Sequence, residues 1–93
     1  MQIVHTKEFS NALDNILDYI ALDSLNRALS FNRQLQKSIN TLPDMPYKYR
    51  KSHYHNHDDV RDMVFKGYTI PYKVDNTNNL IIVLDIFKWL DRG

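Results

Sequence analysis

Residues 9–42 read FSNALDNILDYIALDSLNRALSFNRQLQKSINTL, and they determine most of the architecture. In the first half, apolar residues recur at three- and four-residue spacing, which places them on one face of a helix. The members of this stripe are Phe9, Ala12, Leu13, Ile16, Leu17 and Ile20. Thr6 can cap the helix, because its hydroxyl can accept a hydrogen bond from an unpaired amide of the first turn.

A second apolar stripe begins after a very short break at Asp23 or Ser24, and either residue can cap a new helix. The members of the second stripe are Leu25, Ala28, Leu35, Ile39 and Leu42. Positions 25/28, 32/35 and 39/42 repeat every seven residues, as in two helices packed side by side, although Asn32 interrupts the seam. Pro43 and Pro46 cannot continue the amide ladder and should end the helix. The short link predicts an antiparallel hairpin.

Strand patterns flank the two helices. Residues 1–6 and 61–66 predict short strands, residues 68–75 alternate polar and apolar side chains, and residues 80–87 are almost wholly apolar, as in a covered central strand. Gly67 permits a tight turn, whereas Pro71 removes a ladder donor and indicates an edge or a bulge. The predicted fold class is α+β: an N-terminal strand, an antiparallel helical hairpin and three antiparallel strands. We expect the hairpin to pack on one face of an antiparallel sheet of about four strands.

Composition limits the classes of protein to consider. The 93 residues fit a single domain, residues 1–93, and the absence of cysteine excludes disulfides and thiolate metal sites. No apolar run approaches the roughly 20 residues of a membrane span, and no signal peptide is apparent. We therefore expect a cytoplasmic protein with no membrane partner, cofactor or bound metal.

The order and length of these elements resemble the RelE/ParE toxin superfamily of type II toxin–antitoxin systems. The similarity rests first on residues 60–62, VRD, followed by residues 67–74, GYTIPYKV. These are similar to the family's arginine, Gly-Tyr and apolar-x-Tyr-x-Val segment. The apolar run 80–87 with its tail 88–92, KWLDR, resembles the family's closing strand, and residues 46–51, PYKYRK, stand where the family often carries a basic loop.

This resemblance implies a toxin that inhibits bacterial growth and is neutralised by a cognate antitoxin. RelE-like members cut mRNA in the ribosomal A site, whereas ParE-like members poison DNA gyrase. RelE-like nucleases typically carry an arginine near the Gly-Tyr position, where this chain has Thr69. They also carry His, Arg or Tyr near the end of the last strand, where Phe87, Lys88 and Trp89 stand. The departures favour ParE-like gyrase inhibition, with ribosome-dependent RNA cleavage or a non-toxic interaction module as alternatives.

Two sets of residues are candidates for the functional site. Cations attract phosphate or acidic protein surfaces, and the predicted target-binding residues are Lys48, Arg50, Lys51, Arg61, Lys88 and Arg92. Of these, Arg61, Lys88 and Arg92 are also candidate catalytic residues for RNA cleavage. We expect the loop cations and the end of the last strand to lie on the same side of the molecule. In that arrangement, Arg61→Ala would reduce toxicity without disturbing the fold.

The second set is the alternating run His53, His55 and His57, whose side chains would share a face on an extended segment. They are candidates for a general base in RNA cleavage or, with Asp58 or Asp59, for zinc ligands. The alternative is a solvated polar loop. Tyr47, Tyr49 and Tyr54 lie among the cations and either stack on bases or cover a sheet edge. Trp89 either anchors the tail or contacts a partner.

Overall fold

The computed structural model describes residues 1–88, so Trp89 and Arg92 lie outside the described residues. Its elements follow the predicted order. They are β1 (Gln2–His5), α1 (Lys7–Asp23), α2 (Leu25–Ile39), β2 (Val60–Phe65), β3 (Tyr68–Asp75), β4 (Leu80–Val83) and β5 (Phe87–Lys88). No helix in this part of the chain is long and apolar enough to cross a bilayer.

Each helix begins at a residue whose side chain caps its first turn. The Thr6 hydroxyl accepts from the Phe9 amide at 3.0 Å, as predicted, and donates to the Leu84 carbonyl at 2.7 Å. Ser24 ends α1 and begins α2: its amide donates to Ile20, and its hydroxyl accepts from Arg27 at 3.2 Å. A single residue thus links the helices, and this short link forms the predicted helical hairpin.

The α2 helix departs from its predicted stripe at both ends. Leu25 is 64% exposed, because it lies at the tip of the hairpin, beyond the sheet. The helix ends at Ile39 rather than at Leu42, and the amides of Thr41 and Leu42 donate to carbonyls three residues back. This tighter turn still carries Leu42 into the core, where it is 1% exposed.

The sheet is mixed rather than wholly antiparallel. Its order is β1-β4-β3-β2, and β5 also pairs with β3. The pairs β2–β3 and β3–β4 are antiparallel as predicted, whereas β1 runs parallel to β4, with Ile3 opposite Ile81. The parallel pairing follows from the helical hairpin, which returns the chain to the far side of the sheet before β2 begins.

The closing apolar run forms two strands instead of one, because of Pro71. Tyr72 pairs with Val83 of β4, and Thr69 pairs with Phe87 of β5. The three residues 84–86 therefore lie opposite the two residues 70 and 71, which is a bulge. The Leu84 amide donates to the Pro71 carbonyl at 2.9 Å, so the proline nitrogen faces the bulge, where no ladder donor is needed.

The core lies between the helical hairpin and one face of the sheet. Its buried members from the helices are Phe9, Leu13, Leu35 and Ile39, and those from the sheet are Met63, Ile70, Tyr72, Val74, Ile81 and Val83. Strand alternation directs Asp62, Val64 and Thr69 to the opposite, open face. The sheet thus has a helix-covered face and an open face. The long segment between α2 and β2 covers the edge formed by β2.

Candidate interaction surface on the basic loop

Residues 46–59, here called the basic loop, are fastened along the outer edge of β2. The Ser52 amide donates to the Val60 carbonyl at 2.9 Å, and the Asp62 amide donates to the Arg50 carbonyl at 3.2 Å. Lys51 and Arg61 form an antiparallel bridge between these two bonds. The loop therefore pairs with the exposed edge of the sheet, as a further short strand would.

Two buried side chains of the sheet also hold the loop. The Tyr72 hydroxyl donates to the Pro46 carbonyl at 2.6 Å. On the open face, a carboxylate oxygen of Asp62 accepts from the His53 amide at 3.1 Å. Asp62 is 3% exposed, so this charge-assisted bond is shielded from water. Tyr54 then reaches over the open face and contacts Phe87 edge-on, with ring centroids 5.0 Å apart.

Arg61 holds the loop in place instead of projecting from it as a free cation. Its guanidinium group donates to the carbonyls of Asp58 at 3.2 Å and Tyr49 at 3.1 Å. It also lies 4.8 Å from the centre of the Tyr47 ring. These contacts occupy the planar group on several sides. The expectation that Arg61→Ala would spare the fold is therefore revised, because the substitution leaves two carbonyls of the loop without their donor.

Lys51 is also paired within the loop. Its ammonium lies 3.0 Å from a carboxylate oxygen of Asp58, and the hydrogen bond from Lys51 lowers the pKa of Asp58. Both side chains are largely exposed, so the ion pair contributes little to stability. It does reduce the positive charge that Lys51 presents to a partner.

The surface that remains available combines cations with large apolar side chains. Lys48 and Arg50 are exposed, and the Lys48 ammonium lies 5.5 Å from the centre of the Tyr49 ring. Met45, Tyr47 and Tyr54, which are near them in the sequence, are 62%, 44% and 50% exposed. Tyr, Met and Arg are enriched at protein–protein interfaces. An RNA-binding surface would use the same tyrosine rings to stack on bases. We call these five residues the loop surface.

The structure does not gather all the predicted cations into one patch. Arg61 pairs with Tyr72 and Lys88 pairs with Tyr68, so they lie four residues apart along β3 and on opposite sides of it. Four residues of strand span about 13 Å, which is too far for one phosphate or carboxylate to bridge. Lys88 lies instead near the β2–β3 turn, and Arg92 is outside the described residues.

The three histidines of the loop are exposed and do not converge. In the described part of the chain, one of them makes a side-chain hydrogen bond: His55 Nδ1 lies 3.4 Å from the Ser52 hydroxyl. Within residues 1–88, no three His, Cys, Asp or Glu side chains are placed to hold a metal ion, so the zinc-site interpretation is not supported. A general base needs a positioned substrate proton, and nothing in this part of the chain orients these imidazoles toward one.

Thr69, which stands near the position where RelE-like nucleases carry an arginine, is closed to solvent. Thr69 is 2% exposed, lies opposite Val64 on β2, and pairs with Phe87 on its other side. Its hydroxyl has no hydrogen-bond partner among residues 1–88, so it is not part of a proton relay there. The loop and β5 therefore close Thr69 to an RNA phosphate, and two nitrogens of the Arg61 guanidinium, Nε and Nη1, already donate to loop carbonyls.

Asp62 and Tyr72 hold the basic loop in place, and neither role was predicted from the sequence. The Tyr72 ring is fully buried, and its hydroxyl reaches the loop at Pro46. Asp62 gave one signal: it is an acidic residue in a strand whose other members, Arg61 apart, are apolar, and an unpaired charge buried there is costly. That signal predicts a partner but not which one, because His53 approaches it from another element.

Replacing Tyr72 with phenylalanine tests the loop anchorage. Burial raises the pKa of Tyr72 to about 12 from its ordinary value of 10.0. The neutral phenol therefore stabilises the fold fully below pH 10, and this stabilisation is lost as the pH rises from about 10 to 12. We expect Tyr72→Phe to cost about 1 kcal/mol at pH 7 through the lost hydrogen bond, and to show a smaller loss of stability above pH 10. Urea unfolding across this pH range measures both effects, and an unchanged alkaline profile would contradict the assignment.

Comparison with known proteins places the chain in a family. Residues 3–88 match the family described as the ParE toxin of the type II toxin-antitoxin system, parDE. No curated protein matches the chain in sequence. Among solved structures, the chain is similar to one titled a chromosomal ParDE TA system from P. aeruginosa, with a TM-score of 0.75 and 20% identity over 95% of both chains. That likeness supports the fold, and the family match covers nearly the whole sequence. The chain therefore belongs to the ParE toxin family of type II toxin–antitoxin systems.

Proposed function

We propose that this ParE-family toxin inhibits DNA gyrase by binding it through the loop surface, and that a cognate antitoxin neutralises it. The single observation that carries the proposal is the contrast at the edge of β2. Lys48 and Arg50 are exposed in the same loop as the exposed Tyr47 and Tyr54, whereas Thr69 is buried and Arg61 is engaged by the loop. This arrangement supports binding, because within residues 1–88 the position of the nuclease arginine is buried and offers no acid–base pair for RNA cleavage.

A cognate antitoxin is expected because the chain belongs to the ParE toxin family. The family consists of toxins of type II toxin–antitoxin systems, and the similar solved structure is titled a ParDE TA system. A partner that covers the loop surface would bury aromatic and cationic side chains that otherwise face water. We therefore expect antitoxin and gyrase to compete for the toxin.

RNA cleavage is the alternative, and the histidine run is the observation that favours it. His53, His55 and His57 are exposed in the same loop as Arg50, so an RNA bound along the loop would meet both imidazoles and a cation. Two sets of substitutions separate the two functions. We expect Lys48→Ala with Arg50→Ala to reduce toxicity, because these side chains provide the free charge of the loop surface.

Replacing His53, His55 and His57 together by alanine should leave toxicity largely intact. The matched control is Lys7→Ala with Arg33→Ala, which removes one lysine and one arginine from exposed helix positions. Growth curves at equal soluble expression, with circular dichroism to verify folding, measure the effect. If the cation variant stays fully toxic while the histidine variant loses toxicity, the binding mechanism is wrong and the nuclease becomes the leading function.

A further inference from the structure

Tyr47 is an exposed residue of the loop surface whose ring and hydroxyl are both held in place. Its hydroxyl accepts a hydrogen bond from the side-chain amide of Asn76 at 2.8 Å. The guanidinium group of Arg61 lies over its ring, 4.8 Å from the ring centre. The residue is nevertheless 44% exposed. Tyr47 thus combines a fixed ring with a large accessible area, and residues of this kind dominate binding because little freedom is lost when a partner covers them.

The main chain on both sides of Tyr47 is also anchored. The carbonyl of Pro46 accepts from the Tyr72 hydroxyl at 2.6 Å, and the carbonyl of Tyr49 accepts from Arg61 at 3.1 Å. These two bonds tie the loop to β3 and β2, immediately before Tyr47 and two residues after it. Rotation of the side chain is therefore the main freedom that Tyr47 retains.

Asn76 restricts that rotation from a different element, the turn between β3 and β4, which is 29 residues from Tyr47 along the chain. The turn has its own hydrogen bonds. The carboxylate of Asp75 accepts from the backbone amide of Asn78 at 3.1 Å and from its side-chain amide at 2.9 Å. Asparagine and aspartate stabilise turns in this way. Asn76 therefore reaches Tyr47 from a formed turn and does not depend on the loop for its position.

The surroundings of Tyr47 indicate the chemistry of the group that it would contact. One face of the ring already carries the positive charge of Arg61. Lys48 and Arg50 are exposed in the same loop. A cation from a partner would meet like charges here. An apolar side chain flanked by carboxylates would instead cover the ring and pair with the exposed cations.

We propose that Tyr47 is the aromatic anchor of the loop surface, that Asn76 is its positioning residue, and that the anchor receives an apolar side chain from an acidic patch of gyrase. This inference rests on the proposed function, because gyrase is taken as the target. Without the Asn76 amide, the ring has more conformations in the free toxin, and ordering it on binding lowers the affinity. The contact surface itself stays the same.

A double-mutant cycle on the intact chain tests the positioning role. Surface plasmon resonance on immobilised DNA gyrase measures the affinity of the wild type, Tyr47→Phe, Asn76→Ala and the double variant. We expect each single variant to bind about threefold to tenfold more weakly, because each lacks the same hydrogen bond. The double variant should bind no more weakly than either single variant, since the bond can be lost only once.

Two further variants set the scale of the experiment. Tyr47→Ala removes the ring as well as the hydroxyl and should weaken binding about thirtyfold or more. Thr77→Ala is the matched control, because it truncates the exposed residue next to Asn76 in the same turn, and it should bind like the wild type. Urea unfolding of each variant verifies that the fold is retained.

The aromatic ¹H–¹³C spectrum of the free toxin provides a readout that a loss of general stability would not move. Asn76→Ala should shift the ring resonances of Tyr47 and leave those of the buried Tyr72 in place. If Tyr47→Phe weakens binding but Asn76→Ala does not, the hydroxyl contacts gyrase directly and the positioning role is wrong. Additive losses in the double variant would also overturn it. Failure of the wild type to bind gyrase would instead contradict the proposed function, and the anchor with it.

Discussion

We expect expression of this chain without a partner protein to stop the growth of a bacterial culture. We expect this result because the chain belongs to the ParE toxin family over residues 3–88, and because its loop surface leaves Lys48 and Arg50 exposed for a target. Nothing within residues 1–88 covers these side chains. Optical density and colony counts after induction measure the effect, with the Lys48→Ala and Arg50→Ala double variant expected to restore growth.

The growth experiment has a defined control and a defined contrary result. Soluble protein must be verified by fractionation, since an insoluble toxin would be harmless for trivial reasons. Normal growth at verified soluble expression would contradict the proposed function and favour the non-toxic interaction module. Co-expression of the cognate antitoxin should restore growth without lowering the amount of toxin.

Leu35→Ala destabilises the fold by about 2–5 kcal/mol, a large part of the roughly 5–15 kcal/mol that holds a small domain together. Leu35 is fully buried between the hairpin and the sheet, so truncation leaves a cavity that the packed neighbours only partly fill. Leu29 lies on the same helix but is 54% exposed, and Leu29→Ala should change stability by no more than about 0.5 kcal/mol. The free energy of unfolding in urea measures both variants. Equal costs for the two leucines would contradict the packing described for α2.

The helices could be predicted from sequence because their determinants are local. The Phe9–Ile20 stripe, the Thr6 cap and the restart at Ser24 all act within one or two turns, and the structure confirms them. The ends of α2 were less predictable. Leu25 carries the heptad spacing but lies beyond the sheet, and helical periodicity does not say how far the partner surface extends.

The sheet shows where local patterns are insufficient. Alternation identified β2 and β3, and the awkward Pro71 was expected at an edge or a bulge, which the break between β4 and β5 confirms. The parallel pairing of β1 with β4 depends on residues nearly eighty positions apart, and no spacing within β1 records it. The direction of a strand is set by the connections around it, which periodicity does not specify.

The residue types of the candidate site could be predicted from the sequence, but the hydrogen-bond and ion-pair partners of those residues could not. The sequence showed that the basic loop is cationic, aromatic and rich in histidine. It did not show that Arg61 donates to two loop carbonyls or that Lys51 pairs with Asp58. Those contacts determine which cations remain free, and they arise only when the loop folds back along β2.

The central claim is that the toxin acts by binding gyrase, and supercoiling of relaxed plasmid by purified DNA gyrase tests it most directly. The purified chain is added at increasing concentration, alongside the Lys48→Ala and Arg50→Ala variant and the Lys7→Ala and Arg33→Ala control. We predict that the wild-type chain and the control abolish supercoiling, that the loop variant does so only at higher concentration, and that ribosome-bound mRNA stays intact in a parallel reaction. Undiminished supercoiling at saturating toxin, together with cleavage of ribosome-bound mRNA, would contradict the claim.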